Sequence, residues 1–134
     1  MTKEEILASA NDEQQEAIKH QEGACMIIAG PGSGKTKTVI SMSQYRILNG
    51  IDPSQICLFT FTNKAANEMK ERIRVAVGEL ADKITVGTYH SVCHRLLRKY
   101  ATHIGFNKNF TILSQDDCTK KLKKIAKELN VEHE

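Results

Sequence analysis

Residues 29–36 place a lysine and a hydroxyl side chain directly after a glycine-rich loop, in the order Ala29-Gly30-Pro31-Gly32-Ser33-Gly34-Lys35-Thr36. They fit the phosphate-loop pattern (A/G)xxxxGK(S/T). Because glycine accepts a positive φ, successive backbone N–H groups can turn inward around a phosphate. Lys35 can neutralise the β- and γ-phosphates, and the Thr36 hydroxyl can bind Mg²⁺. These residues therefore predict a site for a nucleoside triphosphate.

The segments on either side of the loop are of the kinds needed to hold it. The apolar run Ala24–Ala29 predicts a central parallel strand covered on both faces. Residues 35–48 predict a helix, with Ile40, Ile47 and Leu48 on its buried side. The N-terminal dipole of that helix would point at the bound anion, as in known phosphate sites.

Two further strand-to-helix repeats follow the first. Ile56–Thr60 predicts a strand that leads to a helix over Lys64–Val77, and Ile84–Val86 predicts a strand that leads to a helix ending near Tyr100. Three such repeats with the phosphate loop first predict an α/β fold, with a three-layer parallel sheet of the P-loop NTPase type.

Polar and aromatic residues follow the second and third predicted strands, in the segments Thr60-Phe61-Thr62-Asn63 and Gly87-Thr88-Tyr89-His90. Ligands of such sheets bind at the carboxyl ends of the strands. Hydroxyl groups suit phosphates and exposed rings suit stacked bases, so these residues could bind a single-stranded polynucleotide. The residues alone equally allow Phe61 and Tyr89 to be core aromatics and His90 to be a structural polar residue.

Gln14 allows two interpretations. Asn11 can cap a helix, and Gln14 lies three residues later, where it completes a capping box. A glutamine amide also offers the donor and acceptor that match the N6 and N7 edge of adenine. The spacing does not decide between these roles.

Composition narrows the class of protein. The 134 residues are 40% hydrophobic and 26% charged, which is typical of globular chains. The charge is uneven: residues 1–34 carry 2 basic and 6 acidic side chains, and residues 35–134 carry 17 and 10. This basic excess suggests a polyanionic partner.

Cys25 and Cys57 lie in apolar runs and are expected to be buried, reduced thiols. With no membrane-length apolar run and no signal peptide, we expect a cytoplasmic protein without membrane contact.

The chain resembles the N-terminal end of the UvrD/Rep/PcrA-like superfamily 1 DNA helicases, in order and spacing over nearly its whole length. The resemblance rests on four segments: Asn11-Asp12-Glu13-Gln14 resembles the Q motif, residues 29–36 motif I, residues 60–72 (TFTNKAANEMKER) motif Ia, and residues 87–91 motif Ib. Residues 110–113, with the lysine-rich helix after them, resemble the start of the helical insertion called subdomain 1B.

The resemblance implies a function and a set of site residues. It implies an ATP-dependent helicase that moves 3′ to 5′ on one DNA strand and binds single-stranded DNA and its junctions with duplex. It implies ATP and Mg²⁺ as cofactors, Gln14 as an adenine contact, and Lys35 and Thr36 as the residues at the phosphates and the metal. DNA contacts would come from the residues after the two later strands: Thr60, Phe61, Thr62, Asn63, Thr88, Tyr89 and His90.

The chain departs from the family pattern in two ways. The resemblance also places Lys37 at the nucleotide, but many relatives have at this position an arginine that lies on the adenine, and a lysine cannot stack in that way. The sequence also shows no acidic Walker B segment, no second RecA-like lobe and hence no arginine finger. We therefore expect residues 1–91 to be the first part of an incomplete RecA-like domain 1A, and residues 92–134 the beginning of 1B. Alone, the chain should hydrolyse little ATP.

Two alternatives to the helicase fragment can be stated. The first is a free-standing P-loop module that binds nucleotide or nucleic acid and unwinds nothing. The second is a small P-loop kinase, which would need an arginine-bearing lid and an acceptor pocket, and no segment suggests either. An acidic Asp-Glu motif and a second lobe encoded downstream of Glu134 would favour the helicase.

Overall fold

The computed structural model describes residues 1–130 of the chain, which contain six α-helices and two β-strands. These residues form two compact units, one from Met1 to His94 and one beginning at Arg95. The predicted start of 1B, residues 92–134, extends beyond this range, so residues 131–134 of that prediction lie outside the described residues.

The elements follow one another in an order close to the one predicted. They are α1 (Lys3–Ala8), α2 (Asp12–Lys19), α3 (Lys35–Leu48), β1 (Cys57–Thr60), α4 (Asn63–Val77), β2 (Thr85–Thr88), α5 (Tyr89–Tyr100) and α6 (Gln115–Glu128). Short 3₁₀ turns occupy Pro53–Gln55, Gly78–Lys83 and Ala101–Ile104. The predicted helix over residues 35–48 is confirmed at both ends.

The sheet has two parallel strands, β1 and β2, joined by α4. Cys57 lies opposite Thr85 and Thr60 opposite Thr88, so the two strands end at the same edge. The mixed α/β class and the parallel pairing are thus confirmed. The prediction of a further strand over Ala24–Ala29 is wrong, since residues 24–30 have no regular secondary structure.

Residues 24–29 show why an apolar run alone does not make a strand. A strand is stabilised by backbone hydrogen bonds to a neighbour, and no strand of residues 1–130 pairs with this segment. Met26 and Ile28 are 82% and 88% exposed instead of covered on both faces. Cys25 and Cys57 are exposed as well, so the prediction that these thiols are buried is also wrong.

The core of the first unit lies between α3, α4 and the strand β2. Its buried members come from α3, α4 and the segment before β2: Ile40, Ile47, Met69, Ile73, Ala81 and Ile84. The inner side of α3 is more polar than predicted, because Gln44 is also buried. Its amide donates a hydrogen bond of 2.8 Å to the Arg72 carbonyl, which offsets the cost of burial and ties α3 to α4.

The second unit contains α6, whose N-terminal cap residue is Ser114. The Ser114 hydroxyl accepts a hydrogen bond from the Asp117 N–H. The apolar side of α6 is exposed, with Leu122 at 63% and Leu129 at 68%. None of the helices within residues 1–130 has both the length and the apolar character that a membrane span requires.

Candidate functional site

Two glycines turn the backbone into α3. Gly32 and Gly34 have φ of 76° and 88°, in the left-handed region that side chains disfavour. Gly34 is the residue before α3, and its carbonyl accepts the Thr38 N–H at 2.9 Å. The loop therefore leads directly into the helix N-terminus, where N–H groups without helical partners can bind an anion.

Gly34→Ala should destabilise the chain, because a Cβ at this φ is strained and would lie 3.2 Å from the Gln14 Nε2. We expect a loss of about 1–2 kcal/mol in the free energy of unfolding, measured by urea denaturation. Gly30→Ala is the matched control, since Gly30 has no positive φ and a Cβ there meets nothing within 4 Å. It should be neutral or stabilising by up to about 1 kcal/mol. Equal losses in both variants would contradict this account of the loop.

Lys35, the first residue of α3, reaches back across the loop. Its Nζ donates to the carbonyls of Ala29 at 2.6 Å and Gly30 at 2.7 Å. Ser33 adds a bond from its hydroxyl to the Gly30 carbonyl at 2.7 Å. The ammonium is thus held over the loop, where phosphate oxygens, as charged acceptors, would bind it more strongly than neutral carbonyls do.

Thr36 is the second residue of α3 and is exposed. In residues 1–130 no group of three or more His, Cys, Asp or Glu side chains could hold a metal ion. Mg²⁺ keeps several waters and is often bound through one or two protein oxygens plus the phosphates of a nucleotide, and a threonine hydroxyl is an oxygen of this kind. The role of Thr36 as its protein ligand stays a prediction.

Gln14 is part of the capping box that the spacing predicted. Its N–H donates to the Asn11 side-chain oxygen at 2.8 Å, and its own Oε1 accepts the Asn11 N–H at 3.3 Å. Its Nε2 donates to the Ser33 carbonyl at 3.1 Å, a contact with the loop that the sequence did not indicate. Capping is therefore one role of Gln14, and adenine recognition stays a prediction.

Lys37 points away from the loop toward the end of α1. Its Nζ donates a hydrogen bond to the carbonyl of Ser9, which caps α1. This bond fixes the junction between α1 and α2 against the first turn of α3. The structure thus gives Lys37 a structural contact, and its predicted part in nucleotide binding is untested.

A cavity of about 140 Å³ lies between α2 and the loop. Gln14, Ala29, Ser33 and Lys35 line it together. The structure therefore brings Gln14, predicted for the base, to the same place as three of the residues predicted for the phosphates. Pro31 and Gly32 are exposed at the outer turn of the loop.

The second predicted group of residues lies where β1 and β2 end. A cavity of about 200 Å³ is lined by Phe59, Thr60, Phe61, Thr88, Tyr89 and His90. Phe61 is fully exposed and Tyr89 is 65% exposed, so the alternative that they are core aromatics is excluded. Large rings left in water beside polar groups are a common feature of sites that bind ligands or polynucleotides.

Phe59 belongs to this surface although no sequence motif assigns it a role. Its ring stacks on that of Tyr89, with centroids 4.2 Å apart and planes inclined by 13°. The register explains the contact: Phe59 lies opposite Gly87, which has no side chain to separate the two rings. A glycine facing an aromatic residue across a predicted strand pair is the signal that could have revealed it.

The hydroxyl groups of this edge have structural partners. The Thr62 hydroxyl accepts the Ala65 N–H at 3.1 Å and so caps α4, and Thr60 donates to the Thr62 carbonyl at 2.9 Å. The Thr88 hydroxyl accepts the Ser91 N–H at 3.2 Å. Asn63, like His90, is exposed at the start of a helix. The hydroxyls therefore shape the edge, and the exposed rings and amide offer the free contacts.

An ion cluster ties the far end of α4 to the following turn. Lys70 Nζ lies 3.0 Å and Arg74 Nη2 2.6 Å from the Asp82 carboxylate. Hydrogen bonds from Lys70 and then Arg74 hold the pKa of Asp82 below its usual value. These two basic side chains are thus engaged locally, and their charges add little to the attraction of a polyanion.

The chain is similar to proteins of one family. The family model of the UvrD/REP helicase N-terminal domain matches residues 10–134. The ATP-dependent DNA helicase PcrA of Bacillus subtilis (strain 168) is 42% identical over 129 residues, which are 96% of the chain and 18% of that protein. PcrA of Staphylococcus aureus (strain NCTC 8325 / PS 47) is 41% identical over 128 residues, 95% of the chain and 18% of that protein. The chain thus spans less than a fifth of the length of these relatives.

Proposed function

The chain belongs to the UvrD/REP helicase family, and from that premise we propose that it is the N-terminal, ATP-binding part of an ATP-dependent 3′-to-5′ DNA helicase or translocase. The observation that carries the proposal is the pair of cavities in the first unit. One is lined by Gln14 and Lys35 and suits a nucleotide, and the other, beside the exposed Phe61, suits a stacked base. The two relatives described above are ATP-dependent DNA helicases, which supports a nucleotide and DNA as the two ligands.

In the proposed nucleotide site, Gln14 contacts the adenine, and Lys35 and the N–H groups of residues 30–34 hold the phosphates. Thr36 binds the Mg²⁺, which supplies charge neutralisation at the β- and γ-phosphates. Lys37 contributes by fixing the Ser9 junction that positions Gln14. The protein is proposed to act in the cytoplasm.

In the proposed DNA site, a single strand crosses the edge where β1 and β2 end, with bases on Phe61 and His90 and phosphates near Thr60, Thr62, Asn63 and Thr88. Residues 1–91 would form the first part of domain 1A, and residues 92–134 the start of 1B. Unwinding would require the rest of 1A and 1B and a second RecA-like lobe, which we propose as the partners of this chain.

Phe61→Ala should weaken the binding of single-stranded DNA, because base stacking on an aromatic ring contributes about 1–3 kcal/mol. At low, fixed salt, the dissociation constant for a labelled oligothymidine should rise roughly 5- to 150-fold in an anisotropy titration. Phe106→Ala, which removes a 60% exposed ring from the second unit, is the control and should change it little. An unchanged affinity for Phe61→Ala would remove this ring from the proposed site.

A further inference from the structure

Three aromatic rings line the cavity at the edge where β1 and β2 end, and they are held differently. Phe61 is fully exposed. Phe59 belongs to β1 and is 42% exposed, and Tyr89 is the first residue of α5. The rings of Phe59 and Tyr89 lie nearly parallel, with centroids 4.2 Å apart, so each covers one face of the other. The opposite face of the Tyr89 ring is open to water, since this residue is 65% exposed.

Phe59 is the more firmly held member of this pair. It lies opposite Gly87 in the ladder of backbone hydrogen bonds between β1 and β2. The backbone of Tyr89 is fixed as well, because the Thr88 hydroxyl before it accepts the Ser91 N–H in the first turn of α5. An exposed side chain can still change its rotamer within nanoseconds. Contact with Phe59 therefore favours the rotamer in which the ring of Tyr89 lines the cavity.

We propose that Phe59 is a positioning residue of the DNA site, an inference that rests on the function proposed above. By stacking on one face of Tyr89, Phe59 holds that ring at the cavity and leaves its opposite face to an unpaired base. A ring that already has its bound conformation loses less conformational entropy when a base stacks on it, so binding is tighter. Tyr89 is thus a base contact beside Phe61 and His90, and its strength depends on Phe59.

Phe59 contributes little to the stability of the fold. Its ring is half-exposed and lies outside the buried cluster of α3, α4 and the segment before β2. Phe59→Leu removes the ring and keeps an apolar side chain on β1, so the midpoint of urea denaturation should change little. A loss of DNA affinity in this variant can then be ascribed to the lost stack.

The experiment measures the dissociation constant of the 134-residue chain for a labelled oligothymidine at low, fixed salt. Phe59→Leu should raise it about 2- to 13-fold, the range expected from the contribution of an aromatic pair. Phe59→Tyr keeps a ring against Tyr89 and should restore most of the affinity. Phe106→Leu is the matched control, because it removes one ring of another aromatic pair, with Phe110, and it should leave the constant as in the parent.

A double-mutant cycle tests whether Phe59 acts through Tyr89. Tyr89→Leu should weaken binding at least as much as Phe59→Leu does, since it removes the ring that meets the base. Adding Phe59→Leu to Tyr89→Leu should then cause no further loss. Additive losses would overturn the positioning role, because Phe59 would then act on DNA without Tyr89.

The position of the Tyr89 ring can also be followed without DNA. The chain has three tyrosines, so labelling with fluorinated tyrosine gives three fluorine NMR signals, and Tyr89→Phe identifies the signal of Tyr89. Because a facing ring shields the nuclei above its plane, Phe59→Leu should shift this signal and leave those of Tyr45 and Tyr100 in place. A Tyr89 signal that is the same in Phe59→Leu and in the parent would contradict the positioning role.

Phe61→Ala separates a failure of this role from a failure of the proposed function. Weaker binding in Phe61→Ala with parental affinity in Phe59→Leu would reject the positioning role and leave the DNA site in place. Parental affinity in Phe61→Ala, Phe59→Leu and Tyr89→Leu alike would reject both. Weaker binding in all three, with no further loss in the double variant, supports both.

Discussion

Lys35→Ala is expected to abolish ATP hydrolysis when the chain is part of a complete motor, such as a chimera in which it replaces the matching stretch of Bacillus subtilis PcrA. The ammonium lies over the phosphate loop, bonded to the Ala29 and Gly30 carbonyls. Removing a positioned donor that stabilises transition-state charge typically costs about 10²- to 10³-fold in rate. We therefore expect a fall of at least that size in steady-state hydrolysis measured with saturating single-stranded DNA.

The same variant should bind single-stranded DNA nearly as well as the parent, because Lys35 does not line the cavity beside Phe61. Lys83→Ala is the control for the loss of one positive charge, since this exposed lysine lines neither ligand cavity. It should retain both activities. Hydrolysis that survives Lys35→Ala would reject the assignment of the nucleotide site.

The helices could be predicted from the sequence because their signals are local. Apolar spacing and the cap residues Asn11, Thr62 and Gly78 fix where α2 and α4 begin or end. The φ of 60° at Gly78 is a conformation that glycine accepts and other residues avoid. Each of these signals acts within a few residues of the chain, and the predicted Asn11 cap of α2 is confirmed.

Strands depend on residues far away in the chain, and the prediction that failed here concerns a strand. The run Ala24–Ala29 has the composition of a buried strand, yet no described strand pairs with it. Met26, Ile28 and the thiol of Cys25 are consequently exposed. Composition indicates that a segment can be a strand, but the partner decides whether it becomes one.

The candidate site was predictable in its residue types and less so in its contacts. The phosphate loop and the residues after β1 and β2 were identified by motif, and the structure brings part of each set to one cavity. The stacking of Phe59 on Tyr89 and the bond from Gln14 to Ser33 depend on register and on the packing of α2. Spacing along the chain carries no information about either.

Ile73→Ala is expected to cause the largest loss of stability among the substitutions considered for this chain. Ile73 is fully buried in the core cluster between α3, α4 and the segment before β2. Removing buried methylene and methyl groups at such a site costs about 2–5 kcal/mol, because the neighbours fill the new cavity only in part. Since whole domains are stable by only about 5–15 kcal/mol, the midpoint of urea denaturation should fall markedly.

Val75→Ala, on the same helix, is the matched control. Val75 is 76% exposed, so its truncation should stay within about 0.5 kcal/mol of the parent. The contrast matters for function because Ile40 and Ile47 of α3 belong to the same cluster as Ile73, and α3 carries the phosphate loop at its N-terminus. Loosening this core should therefore weaken ATP binding in proportion to the unfolded fraction. Equal shifts for Ile73→Ala and Val75→Ala would contradict the conclusion that burial of Ile73 stabilises this core.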